Sequence, residues 1–77
     1  MFTEQAWREI ARSLRLSGQQ IQIVKGIFDD HTEFAIAENL KVSPHTVHTH
    51  FERLYRKVGV TGRVKLALRV IAEYRFR

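Results

Sequence analysis

The stretch SPHTVHTHFERLYRKVGV, residues 43–60, decides the fold class. Ser43 followed by Pro44 indicates a helix start, because proline suits the first helical position and serine can accept from a free backbone N–H. Gly59 indicates the helix end. Four apolar residues between these points share an arc of roughly 60° on a helix. They are Val47, Phe51, Leu54 and Val58. The stretch therefore predicts an amphipathic helix with one buried face.

The opposite side of this helix is polar and changes character along its length. Side chains that can donate to or accept from base edges come first, and arginine and lysine, which hold phosphates, come later. The outward set is His45, His48, Thr49, Glu52 and Arg56, followed around the same end by Arg53 and Lys57. These residues indicate a surface that reads and holds a nucleic acid.

The rest of the chain is also predicted to be helical, because glycine and proline are scarce and apolar residues recur at intervals of three and four residues. N-caps are expected at Thr3, Ser17, Thr32 and Thr61, and Gln20 gives Ser17 the spacing of a capping box. The predicted helices span about residues 4–14, 18–28, 33–40, 44–58 and 62–74. The short third helix buries either Phe34 or Ile36. The fold class is all-α, in a single domain over residues 1–77.

The amino-acid composition limits the classes of function that the chain can have. The 77 residues contain no cysteine, which excludes disulfides and thiolate metal sites, and carry a net charge of +5. Residues 53–77 hold eight lysines and arginines against the single acid Glu73, whereas residues 1–52 are slightly acidic. This segregation favours a polyanionic partner, although a basic surface that serves solubility remains an alternative. No apolar run is long enough for a membrane, so a cytoplasmic location is expected.

The third and fourth helices, joined by the short KVS connection, form a predicted helix-turn-helix. At this point the chain resembles the LuxR-type (GerE-like) DNA-binding domain of bacterial transcription regulators. The resemblance rests on LSGQQIQIV (16–24), IAENLKVSPHTVHTHFERLYRKVGV (36–60) and GRVKLAL (62–68). It covers about residues 16–72.

The resemblance implies a tetrahelical core at 16–72, preceded here by an extra amphipathic helix at 1–15. It also implies sequence-specific binding of double-stranded DNA, with the helix at 44–58 in the major groove. By position, the base contacts are His48, Thr49 and Glu52, and the backbone contacts are His45, Thr46, Arg53, Arg56 and Lys57. The last helix implies a homodimer, for which the expected interface residues are Val64, Leu68 and Ile71.

The apolar arc of that last helix is about 200° wide, more than one core contact needs. Either the first helix covers it through Trp7 and Leu14, or a second copy of the chain does, or both. A small protein-interaction module that uses this arc without DNA is the rival function. A structured-RNA binder is a weaker rival, because one helix reads the RNA major groove poorly.

Departures from the family concern affinity more than fold. Gln19-Gln20 stand where Arg-Glu is usual, and Phe34-Ala35 stand where Lys-Glu is usual. These changes suggest weaker capping or ion pairing at two helix starts and one phosphate contact fewer. His48 and Glu52 replace more usual basic or amide residues. A carboxylate there can accept from cytosine N4 but repels phosphate.

Other kinds of site have little support in the sequence. The string of His45, His48 and His50 lacks the ligand geometry of a metal site, and His50 is expected to be a partly buried structural residue. Serines and threonines occur mainly at helix starts, where capping explains them, and no phosphate-binding glycine loop is present. We expect no enzyme activity, no cofactor and no small-molecule ligand. We expect Trp7 and Tyr74 to be packing residues.

Overall fold

The computed structural model describes residues 2–75, and these residues form five α-helices and no strand. The helices are α1 (Glu4–Leu14), α2 (Gly18–Phe28), α3 (Glu33–Leu40), α4 (Pro44–Val58) and α5 (Arg63–Arg75). The all-α prediction is confirmed, and the first four helices begin and end where the sequence pattern predicted.

Four helix starts are capped by the predicted side chains. Thr3, Ser17, Thr32 and Ser43 each accept from the backbone N–H three residues on. At α2 the capping box is complete, since Gln20 Oε1 also accepts from the Ser17 N–H at 2.9 Å. Each such cap stabilises its helix by about 1 kcal/mol. The hydrogen bonds of the capping box are therefore complete at α2, because the Gln20 amide oxygen accepts as a carboxylate would. Weaker capping or ion pairing than with glutamate stays a prediction.

The start of α5 differs from the prediction. Thr61 was expected to cap it, but the helix begins at Arg63, and the Leu66 N–H bonds to the Gly62 carbonyl at 2.9 Å. Gly62 therefore occupies the cap position. The preceding helix ends at Gly59, as predicted, with a left-handed φ of 83° that glycine adopts without strain.

All five helices bury side chains in one hydrophobic core. The α4 contribution is the predicted one, with Val47, Phe51 and Leu54 at most 1% exposed, while Val58 is partly buried at the core edge. The other buried core residues are Trp7, Ile10, Ile23, Val24, Ile27, Ile36, Ala37, Leu66 and Val70. Burial of a large apolar side chain contributes about 1.5–3 kcal/mol, so this shared core fixes how α4 is seated.

The first helix packs on α5, one of the two coverings that the sequence left open. Phe2 brings their ends together, with its ring centroid 5.1 Å from both Trp7 and Tyr74. Farther along, the Ser13 hydroxyl donates to Glu73 Oε2 at 2.5 Å. Trp7 and Tyr74 are thus in ring contacts within the chain, consistent with their predicted packing role.

The helix-turn-helix consists of α3 and α4, which pack together. Ile36 is buried and Phe34 is 67% exposed, which decides between the two alternatives for α3. Behind α3, α2 has Gly26, where an added Cβ would lie 2.7 Å from Ile36 Cγ1. The glycine therefore allows α2 and α3 to approach closely.

Candidate nucleic-acid interface

The outer side of α4 is the candidate interface. Because its inner residues are held in the core, the opposite side chains point to solvent. His45, His48, Glu52, Arg53, Arg56 and Lys57 are exposed, and Thr46 and Thr49 are partly buried. None of the side chains assigned to bases or phosphates is therefore buried.

The two threonines near the start of α4 have partners within the helix. Thr46 Oγ1 lies 2.9 Å from the Ser43 hydroxyl, beside the cap that Ser43 makes to the Thr46 N–H. The Thr49 hydroxyl donates to the His45 carbonyl at 3.2 Å. Because this bond uses the hydroxyl proton of Thr49, its methyl group and its oxygen lone pairs remain for contacts with a ligand.

His48 lies between two carboxylates. Its Nδ1 is 3.4 Å from Glu33 Oε1 on α3, and its Nε2 is 3.5 Å from Glu52 Oε1 one turn later on α4. Sequence reasoning named His48 and Glu52 but missed Glu33, which lies 15 residues before His48 along the chain. Only the packing of α3 on α4 brings them together, so no spacing rule within one helix could have found the contact.

The later part of the interface is basic. Arg53 and Arg56 are exposed, and neither forms an ion pair within the described residues. Lys57 donates to Gln20 Oε1 at 3.2 Å, an atom that already accepts from the α2 cap. The ammonium group of Lys57 therefore lies beside the start of α2, and the C-terminal end of α4 and that start form one edge of the surface.

Tyr55 and Arg63 connect this surface to the neighbouring helices. The Arg63 guanidinium donates to the His31 carbonyl in the α2–α3 connection. Burial raises the pKa of the Tyr55 hydroxyl above its usual value, and the nearby Glu33 carboxylate raises it further. Glu33, Tyr55 and Arg63 thus form a polar group where α3, α4 and α5 meet.

The family model for bacterial regulatory proteins of the luxR family matches residues 14–70. The chain belongs to this family. The match includes α2, α3 and α4 completely and most of α5, so the helix-turn-helix described above is the LuxR-type one. Members of this family are DNA-binding regulators rather than enzymes.

The chain is also similar to a curated bacterial protein. The chain is 40% identical over 53 residues to the protein called response regulator GacA of Pseudomonas aeruginosa. The aligned part is 69% of this chain but 25% of GacA, so the chain spans about a quarter of the relative it matches. No solved structure is significantly similar to the chain.

The residues expected at a LuxR-type dimer contact divide into two groups. Val64 and Leu68 on α5 are 72% and 60% exposed. Ile71 is less exposed, because the rest of the chain partly buries it. Leu66 and Val70 face the core. The wide apolar arc of α5 is therefore half covered by the chain itself, and an apolar stripe of Val64 and Leu68 remains.

The described residues offer neither a metal site nor a membrane-spanning helix. Within residues 2–75, no group of three or more histidine, cysteine or acidic side chains is arranged to hold a metal ion. His50 is partly buried, as predicted, while His45 and His48 face solvent. Over the same residues, every helix is too short or too polar to span a bilayer.

Proposed function

We propose that this LuxR-type domain binds double-stranded DNA sequence-specifically, with α4 lying in the major groove. The observation that carries the proposal is the division of α4, whose apolar side is at most 1% exposed from Val47 to Leu54 and whose opposite side presents polar groups. A helix seated in this way fits the width of the major groove of B-DNA. Such a ligand would place the chain in the cytoplasm.

His48, Thr49 and Glu52 are the proposed base contacts. Glu52 can accept from the amino group of cytosine. The exposed His48 ring lies beside it, with Nε2 3.5 Å from Glu52 Oε1. The Thr49 hydroxyl proton is engaged by the His45 carbonyl, so Thr49 is better suited to a methyl contact with thymine. Substitutions at these positions should change which sequence is preferred.

The proposed backbone contacts surround them. They are His45, Thr46, Arg53, Arg56 and Lys57. Contacts to phosphate should supply most of the affinity, because each neutralised phosphate releases condensed counterions. Lys57 can exchange its Gln20 partner for a phosphate oxygen with little movement, since its ammonium group is already at the edge of the surface.

We further propose a homodimer through α5, with Val64 and Leu68 at the centre and Ile71 at the side. Pairing about a two-fold axis would remove the exposed apolar stripe from water. Two recognition helices related in this way would read an inverted repeat, with half-sites about one helical turn, roughly 34 Å, apart.

The DNA proposal is tested by the salt dependence of binding. Fluorescence anisotropy with a duplex selected from random sequences would be measured between low and physiological salt. Arg56→Ala should weaken binding to all sequences alike and flatten the log–log salt slope by about one unit. Arg12→Ala, an exposed arginine in the last turn of α1, is the matched control and should behave as the wild type. Equal losses for the two variants would contradict the assigned surface.

The rival is a protein-interaction module that uses the exposed Val64 and Leu68 stripe without DNA. It predicts no gel shift with mixed duplex DNA even at low salt. The DNA proposal predicts a shift under the same conditions, because nonspecific phosphate contacts suffice for binding there.

A further inference from the structure

At the outer side of α4, the His48 imidazole lies between two carboxylates, those of Glu52 on α4 and Glu33 on α3. Glu33 and Glu52 oxygens lie 3.4 Å and 3.5 Å from the two ring nitrogens of His48. The three side chains are 41%, 55% and 57% exposed for Glu33, Glu52 and His48, so a ligand can reach all of them.

The number of protons on His48 decides whether both contacts are favourable. A neutral imidazole has one N–H, so it can present a proton to one carboxylate only, and its other nitrogen presents a lone pair to the second. The imidazolium has an N–H on each nitrogen. The arrangement with a carboxylate on both sides is therefore complementary to the protonated ring.

The surrounding charges come from three helices. Glu33 belongs to α3, His45, Glu52 and Tyr55 belong to α4, and Arg63 opens α5. Arg63 donates to the His31 carbonyl, and its charge acts on Tyr55 together with that of Glu33. With His48 neutral, two negative charges remain on the side that would face DNA, and they would repel its phosphates. A proton on His48 compensates one of these charges.

We propose that Glu33, His48 and Glu52 form a proton-dependent reading unit: DNA binding retains a proton on His48, and Glu52 accepts a hydrogen bond from the N4 amino group of a cytosine. The imidazolium holds both carboxylates in place, and the Glu52 oxygen that does not face His48 meets the base. Glu33 is a positioning residue that acts through His48. This inference rests on the proposed seating of α4 in the major groove.

The proton linkage is tested by the pH dependence of the dissociation constant at fixed ionic strength. Imidazoles ordinarily change charge between about pH 5 and 8. Over that range, wild-type affinity should fall as pH rises, by up to about tenfold per pH unit for one linked proton. His48→Gln should remove this dependence, and Glu33→Gln should reduce it.

The matched control is Glu38→Gln, which removes an exposed acid of the same helix about 140° around from Glu33. It should keep the wild-type pH slope. A flat wild-type profile, an unchanged slope in His48→Gln, or equal effects of Glu33→Gln and Glu38→Gln would each overturn the proposal. Thermal unfolding of the same variants without DNA distinguishes a purely structural role from the proposed one. A purely structural role would alter stability without altering the pH slope of binding.

The base preference gives a second, independent readout. Selection from random duplexes at pH 6 should show cytosine at one half-site position, and this preference should weaken at pH 8 and in Glu52→Gln. An unchanged preference would overturn the reading role of Glu52. If Arg56→Ala confirms DNA binding through α4 but binding is independent of pH, only this inference fails. If no duplex binds at either pH, the proposed function itself fails.

Discussion

The outer sides of α4 and α5 are both exposed, but they offer opposite chemistry. On α4 the exposed groups are imidazole, carboxylate and guanidinium, whereas on α5 they include Val64 and Leu68. Polar groups lose hydration without penalty only where a ligand returns their hydrogen bonds, as a DNA groove can. Apolar groups are stabilised simply by leaving water, as in a subunit contact. The two surfaces should therefore be separable by substitution.

The largest expected effect comes from a substitution in the core, which supports both surfaces. Phe51→Ala deletes a side chain that is 1% exposed and should lower the free energy of unfolding by about 3–5 kcal/mol, measured by denaturant unfolding. Arg53→Ala, on the outer side of the same helix, should change it by less than about 0.5 kcal/mol. Similar values for the two variants would contradict the described seating of α4.

The next effect breaks the α5 surface alone. Leu68→Gln should shift the chain toward monomer in sedimentation equilibrium and weaken binding to an inverted repeat by about 100-fold, because the second half-site no longer adds avidity. Binding to a single half-site should stay as in the wild type. Lys65→Gln, an exposed neighbour on α5, is the control. Unchanged assembly and affinity in Leu68→Gln would exclude the proposed dimer contact.

The smallest effect concerns α1, which covers part of α5 and so limits the exposed stripe. The hydrogen bond from Lys25, and then its charge, lower the pKa of the Glu4 carboxyl below its usual 4.5. The stabilisation that the contact with Lys25 gives the folded chain is therefore present above the unfolded-state pKa of Glu4. It is lost as the pH falls through the folded-state pKa of Glu4. Glu4→Gln should slightly lower the thermal midpoint near neutral pH, and this difference should vanish in acid.

Dimerisation should be unaffected by Glu4→Gln, since Val64 and Leu68 remain exposed. Glu38→Gln serves as the control for removal of one negative charge. A difference in midpoint that persisted at low pH would show that the contact between Glu4 and Lys25 is not its source.

The local parts of this fold could be predicted from sequence. The Ser17 and Gln20 capping box, the Ser43-Pro44 start and the Gly59 end depend on residues within three or four positions, so their physical cause is visible in the chain itself. The division of α4 into an apolar and a polar side followed from the spacing of its apolar residues, because a helix turns 100° per residue. The exposure of His48 and Glu52 was predictable for the same reason.

The contacts between helices could not be predicted in this way. The Glu33 contact with His48 and the Lys57 bond to Gln20 join separate helices, and both depend on how those helices cross. Helix propensity alone makes Gly26 unfavourable inside α2, and only the packing against α3 shows that an added Cβ would lie 2.7 Å from Ile36 Cγ1. Thr61 was misassigned because Gly62 can also occupy a cap, and propensity alone does not choose between neighbours.

The most direct test of the central claim is an NMR titration of the isotope-labelled chain with a duplex selected for tight binding. Intermolecular NOEs should join major-groove base protons to the outer side chains of α4, above all Thr49 and His48. The α1 side chains should show none. Groove contacts from α1, or from the Val64 and Leu68 stripe in place of α4, would contradict the proposed role of α4.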